Sequence, residues 1–233
     1  KRRGFIYGGI IMKDDGTEQP AGFGDAKLRD LYSPKGSAQP WFDACKLITN
    51  QHRPDLEIIV ATAFAAPLMA TPAENSLLVS AWGASGAGKS TAVKVASAVW
   101  AHPKKSKEVA MSTAKSVVHK MGEIRNLPVY WDEIKNKKAQ LAVFETLFAG
   151  SEGVGPSRLT SSIELRDRGD WQTMLCICSN ISFIDHVISE QPTTDSGIYR
   201  VFEFEVQPVP KTAQGQMSTT SASRITQELE NNY

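Results

Sequence analysis

The apolar run Leu77-Leu78-Val79-Ser80-Ala81-Trp82 leads straight into Gly83-Ala84-Ser85-Gly86-Ala87-Gly88-Lys89-Ser90. The second segment fits the pattern G-x-x-x-x-G-K-[ST]. A buried strand, a glycine-rich turn and a helix opening at Lys89 follow from that order. Glycine reaches backbone torsions closed to residues with a Cβ, so successive N–H groups can converge on one anion. The helix N-terminus adds partial positive charge. Residues Gly83, Ala84, Ser85, Gly86, Ala87, Gly88, Lys89, Ser90 and Thr91 are therefore the candidate nucleotide-binding set. Lys89 is placed to reach the β- and γ-phosphates, and the Ser90 hydroxyl to ligate Mg²⁺, with Thr91 the weaker candidate. The competing reading is an ordinary glycine-rich turn ending in Lys; the flanking strand and helix weigh against it.

Two later apolar strands also end in polar residues. Val129-Tyr130-Trp131 runs into Asp132-Glu133, and the interval from Lys89 leaves room for a helix, a strand and another helix. Adjacent acids at a strand end point to opposite sides and can take different roles. Asp132 is the candidate Mg²⁺ carboxylate, and Glu133 the group that orients or deprotonates a water. Met174-Leu175-Cys176-Ile177-Cys178-Ser179 ends in Asn180, an amide that can position water against a γ-phosphate. Cys176 and Cys178 share one strand face and read as buried core, because neither C-x-x-C nor a nearby His accompanies them. His52, His102, His119 and His186 show no metal-ligand spacing.

Strands alternate with helices over the centre of the chain. Strands are expected at Leu77–Trp82, Glu108–Met111 (weak), Leu127–Trp131, Thr173–Ser179 and Val201–Val206. Helices are expected at Lys89–Trp100, Ser112–Ile124 and Ala139–Ala149, and a hairpin at Arg158–Asp170. The implied class is α/β, a mainly parallel five-stranded sheet flanked by helices. Before it lie an expected strand at Phe5–Met12, a turn at Asp14-Asp15-Gly16, a helix at Trp41–Asn50 and a buried helix from Pro54 to about Met69. The expected organisation is a small helical and β appendage at 1–72, the core at 73–206, and at 207–233 a polar, mobile tail with the start of a longer helix at Ile225–Tyr233.

Composition narrows the function class. In 233 residues the net charge is +1, so contact with nucleic acid has to come from local patches rather than an overall field. Three cysteines, Cys45, Cys176 and Cys178, do not make a disulfide scaffold and suggest a reducing compartment. No apolar run is long enough to span a membrane. The basic start, Lys1-Arg2-Arg3, precedes a short Gly-containing segment without a cleavage site, so it is not read as a signal peptide. The start without Met suggests an excised fragment.

Taken in order, the three strand-end sites resemble an AAA+ P-loop ATPase core. More closely they resemble the superfamily III helicase type and the related domain-of-unknown-function family nine-two-seven of phage and mobile-element primase-helicases. The apolar helix Ala61-Thr62-Ala63-Phe64-Ala65-Ala66-Pro67-Leu68 before the first strand is similar to that family's, and so is Val99-Trp100-Ala101-His102-Pro103, with Ala101 in place of a usual Gly. Gly153-Val154-Gly155-Pro156-Ser157-Arg158 followed by Trp171 resembles its Gly-rich segment and Trp, although Pro156-Ser157 departs from a more basic pattern. The resemblance covers roughly residues 40–206.

The resemblance implies an ATP-dependent DNA helicase motor with ATP and Mg²⁺ as cofactors. It implies a homo-oligomer, a hexameric ring, acting on single-stranded or forked DNA in the cytoplasm of a bacterial host, with a fused or associated primase or polymerase. It makes Lys89, Asp132, Glu133, Asn180 and Arg200 the catalytic set, with Arg200 an arginine finger reaching a neighbouring subunit's ATP. Such fingers are worth about 10³–10⁵ in rate. Arg158 is a second finger candidate. The hairpin Ser161–Asp170 occupies the slot of a channel hairpin, and Arg158, Arg166 and Arg168 are its candidate DNA contacts, offset by Glu164, Asp167 and Asp170. The runs Lys104-Lys105-Ser106-Lys107 and Lys135-Asn136-Lys137-Lys138 are alternatives, although such runs are usually solvated. The rival functions are a nucleotide-dependent loader or assembly switch, a small-molecule kinase and a non-enzymatic DNA-binding module.

Overall fold

The computed structural model describes residues 4–7, 9–20, 26–69, 76–109, 112–133, 141, 144, 171–190, 198, 200–208 and 219–233. Strand β4 (Ser76–Trp82) carries the apolar run and pairs in parallel with β6 (Thr173–Ser179) over its whole length, Ser76 opposite Thr173 and Trp82 opposite Ser179. Strand β5 (Val129–Trp131) lies outside β6, and β7 (Val201–Glu205) lies on the other side of β4. The order is β5-β6-β4-β7, all parallel. Because β6 inserts between β4 and β5, the C-terminal ends of three adjacent strands stand side by side.

The sheet has four strands among the described residues, where the sequence suggested five. Of the expected strand at Glu108–Met111, the described part holds one isolated parallel bridge, between Glu108 and Trp131. Residues 110 and 111 lie outside the described residues; on either side of them the Val109 N–H donates to the Ser112 hydroxyl at 3.1 Å, and the Ser112 N–H to the Val109 carbonyl at 2.8 Å. A capping box between Thr113 and Ser116 then starts α5 (Ala114–Ile124).

Side chains alternate across the sheet with period two and build two apolar layers. Val79, Ala81, Tyr130, Cys176 and Cys178 face α3 (Pro54–Leu68) and α4 (Lys89–Ser97). Leu78, Val129, Trp131, Leu175 and Ile177 face α5 and α6 (Phe183–Glu190), with the Phe144 ring tilted against Phe183. The two thiols are 0% and 1% exposed, as core residues. Helix α3 buries Leu56, Ile59, Val60, Thr62, Ala63 and Ala66, but Phe64 and Leu68 are exposed, so its burial is one-sided rather than complete. Helix α2 (Gln39–Thr49) docks on α4 through the Trp41 indole, which donates to the Val95 carbonyl at 2.9 Å.

The N-terminal segment corrects one expectation. Phe5–Met12 is two antiparallel strands, β1 (Phe5–Tyr7) and β2 (Ile10–Met12), because Gly9 at φ 80° turns the chain between them. The turn at Gly16 then leads to β3 (Glu18–Pro20). Phe5 and Tyr7 meet Trp100 edge-on. A short α1 (Ala26–Leu31) follows. At the other end, α7 (Thr219–Leu229) starts before the expected Ile225 and buries Leu229 fully. Tyr233 exchanges two backbone hydrogen bonds with Lys35. Among the described residues no helix is long and apolar enough to cross a membrane.

Candidate functional site

The loop after β4 is fixed by close backbone approach. The Gly83 N–H donates to the Ser179 carbonyl at 3.2 Å, and a Cβ on Gly83 would lie 2.3 Å from the Val206 carbonyl oxygen. Gly86 sits at φ 82°, a left-handed torsion that favours glycine. Gly88 caps α4 with no side-chain hydrogen bond. The N–H groups of Gly86, Lys89 and Ser90 have no backbone acceptor outside the helix ladder among the described residues. Lys89 is 7% exposed, and its ammonium folds back onto the carbonyls of Gly83 at 2.6 Å and Ala84 at 2.9 Å, with Asn180 Oδ1 at 3.5 Å. Burial pulls the Lys89 pKa below the usual lysine value, partly offset by the Asp132 carboxylate.

Arg53, just before α3, braces this loop from behind. Its guanidinium donates to the Ala87 carbonyl at 2.9 Å, to the Gln207 carbonyl at 2.5 Å and to Asp55 at 2.6 Å. The Asp55 carboxylate in turn accepts the Gln207 N–H at 2.9 Å. The start of α3, the loop and the segment after β7 are thereby tied together.

At the end of β5, Asp132 is 7% exposed and Glu133 is exposed. The Ser90 hydroxyl donates to Asp132 Oδ1 at 2.9 Å. The other oxygen, Oδ2, receives the Lys107 ammonium. Glu133 adopts φ 65°, uncommon for a residue with a side chain, and its N–H donates to the Cys178 carbonyl at 3.1 Å. Strain of this kind collects at functional positions.

At the end of β6, Asn180 faces the same space. The turn after it is held by Glu203 of β7. One Glu203 oxygen accepts the Ser80 hydroxyl at 2.6 Å and the Phe183 N–H at 2.7 Å; the other accepts the Ser182 hydroxyl at 2.6 Å and the Ile184 N–H at 3.2 Å. The three strand ends enclose a cleft of about 200 Å³ lined by loop residues 85–88 and by Lys89, Ser90, Asp132, Glu133, Ser179 and Asn180.

The fold thus gathers most of the residues singled out from the sequence into one cleft. Arg200 is elsewhere. It precedes β7, its carbonyl accepts the Leu78 N–H at 3.1 Å, and it lies toward the strand starts rather than their ends. Arg158, Arg166 and Arg168, the hairpin at 158–170, the Gly-rich segment 153–157 and the run Lys135–Lys138 lie outside the described residues. Of the expected helix at Ala139–Ala149 only residues 141 and 144 are described, and both are helical. In the run at 104–107, Lys104 is exposed and 3.8 Å from Glu230, whereas Lys107 turns inward onto Asp132. Lys107, which does not line the cleft but contacts a carboxylate that does, is the residue that sequence reasoning missed, since a charge run carries no signal of which member is buried. Among the described residues, no group of three or more His, Cys, Asp or Glu is arranged to hold a metal.

The family described as "Domain of unknown function (DUF927)" matches residues 5–168. No curated protein matches the chain. A solved structure described as "SCCmec type IV Cch - active helicase" aligns with a TM-score of 0.61 at 18% identity, over 99% of this chain and 44% of that one. The A form apo structure of the NrS-1 C-terminal region aligns with a TM-score of 0.47 at 11% identity, over 98% of this chain and 52% of that one. The chain therefore spans about half the length of these structures or less, and the likeness to the first is one of fold.

Proposed function

The chain belongs to the DUF927 family, and from that premise we propose that it is the ATP-hydrolysing motor of a DNA helicase in a phage or mobile-element replication protein. One observation carries the reading. The loop with Lys89 and Ser90, the acids Asp132 and Glu133, and the amide Asn180 leave three adjacent strand ends and meet in one cleft. The choice of a helicase draws on the fold shared with a protein described as an active helicase.

In this reading the open N–H groups of the loop and α4 hold the phosphates of ATP, and the Lys89 ammonium leaves the Gly83 and Ala84 carbonyls to join them. Ser90 Oγ and Asp132 Oδ1 are hard oxygen donors 2.9 Å apart, which fits Mg²⁺. That ion usually takes one or two carboxylates and completes its shell with phosphate oxygens and water, so a larger protein cluster is not needed. When bound, Mg²⁺ supplies neutralisation of the charge on the β- and γ-phosphate oxygens. Glu133 orients the attacking water and accepts its proton, and Asn180 hydrogen-bonds the γ-phosphate.

Arg200 enters as a group acting on another copy. Val201 pairs with Leu78 and Glu205 with Trp82, so β7 separates Arg200 from its own cleft by about 15 Å of strand. This spacing supports a homo-oligomeric ring, read as a hexamer on single-stranded DNA, with Arg158, Arg166 and Arg168 as DNA contacts.

The test is steady-state ATP hydrolysis with and without single-stranded DNA, for the native chain and Glu133→Gln. DNA should stimulate the native chain. Glu133→Gln should keep MgATP affinity and lose at least about 100-fold in kcat. Hydrolysis by Glu133→Gln at the native rate, or indifference to DNA, contradicts the reading.

A further inference from the structure

The Asp132 carboxylate already has a cation on it. Its Oδ1 is taken by the Ser90 hydroxyl and its Oδ2 by the Lys107 ammonium, and the Lys107 and Asp132 side chains are 11% and 9% exposed. An ammonium at that depth is placed by its backbone. The Glu108 N–H donates to the Tyr130 carbonyl at 2.8 Å, and the Asp132 N–H donates to the Glu108 carbonyl at 3.0 Å. The residue before Lys107 and the residue after it are both gripped by a second buried lysine: Lys120 reaches the Ser106 carbonyl and, at 2.9 Å, the Glu108 carboxylate. The Lys120 ammonium also lies 5.9 Å from the centre of the Tyr32 ring. Lys107 is thereby presented to Asp132 by a braced segment. Lys89, the lysine that lines the cleft, is on the loop carbonyls and not on this carboxylate.

We propose that Lys107 is the resident counter-cation of Asp132 and competes with Mg²⁺ for that carboxylate. The proposal rests on the nucleotide-binding reading above and assigns a regulation to the same site. A buried carboxylate without a partner is costly, so the site before metal arrives needs a cation of its own. Asp132 has one oxygen toward Ser90 and one toward Lys107. A metal at Ser90 Oγ and Asp132 Oδ1 therefore meets a carboxylate whose charge the Lys107 ammonium on Oδ2 already neutralises, and the two cations compete for that charge. The metal-free nucleotide has no such conflict, and the nearby positive charge helps to hold its phosphates. Lys107 thus narrows the advantage of MgATP over free ATP, and it keeps the carboxylate in place while the cleft is unloaded.

The experiment measures the dissociation constant of a fluorescent ATP analogue with excess Mg²⁺ and with excess EDTA, for the native chain, Lys107→Met and Lys107→Arg. Circular dichroism checks folding, and Lys107→Gln replaces Lys107→Met if the latter does not fold. The ratio of the two constants is the readout. In Lys107→Met, Mg²⁺ should improve affinity about tenfold more than it does in the native chain, a coupling of ordinary size. Lys107→Arg, which keeps the charge, should stay near the native ratio. A Lys107→Met ratio equal to the native one, with both constants moved together, would mean that Lys107 merely supports the fold. A smaller ratio would mean that it stays on the bound MgATP. Either result overturns the proposal while leaving nucleotide binding intact. If the native chain binds the analogue under neither condition, the nucleotide reading itself fails, and this proposal falls with it.

Discussion

Helices α4 and α6 begin at the same edge of the sheet, each after a central strand, yet their N-termini are treated in opposite ways. The start of α6 is filled by a carboxylate of the chain itself: Glu203 accepts the N–H groups of Phe183 and Ile184 and the hydroxyls of Ser80 and Ser182. The start of α4 has Gly88 as its cap and, among the described residues, no capping side chain. Both termini carry the same partial positive charge. One spends it on the fold, and the other leaves it facing a cleft with a lysine, a hydroxyl and two acids. The difference separates a structural anion site from a candidate ligand site without reference to any relative.

The comparison breaks if the closed terminus is dispensable. Glu203→Ala removes an acceptor from two backbone N–H groups and two hydroxyls, so urea unfolding should show a loss of about 2–3 kcal/mol. Nucleotide affinity should move less than tenfold, because Glu203 does not line the cleft. An unchanged stability would mean that the two termini do not differ as described. A smaller effect sharpens the open terminus. Gly86→Ala meets nothing within 4 Å of the new Cβ, so its cost is the φ of 82° alone, about 1 kcal/mol, read by thermal unfolding. If Gly86→Ala is neutral in stability, the loop does not need the torsion described.

Legibility in the sequence followed burial. β6 was read with its true bounds and β4 to within one residue, because a parallel strand covered on both faces is a continuous apolar run. The three strand-end polar sites were legible for the same reason: the point where such a run turns polar is where the sheet meets solvent. The N-terminal hairpin was not, since a strand reading of Phe5–Met12 passes over Gly9 unless its positive φ is known. Helix α6 is too short to give a clear period, although Ser182 and Asp185 mark its start; the Asp185 N–H donates to the Ser182 hydroxyl at 3.0 Å. Glu203 gives no signal of its own, since Val201–Val206 reads in the sequence simply as a strand. Lys107 depends on a backbone bridge between Glu108 and Trp131, a long-range contact that no local pattern encodes.

The most direct test is isothermal titration of MgATP into the native chain and into Lys89→Ala. The account predicts saturable one-site binding by the native chain and a loss of at least about 100-fold in Lys89→Ala, equivalent to about 2.7 kcal/mol, with circular dichroism unchanged. Equal affinity in the two proteins, or no binding by a well-folded native chain, would contradict it.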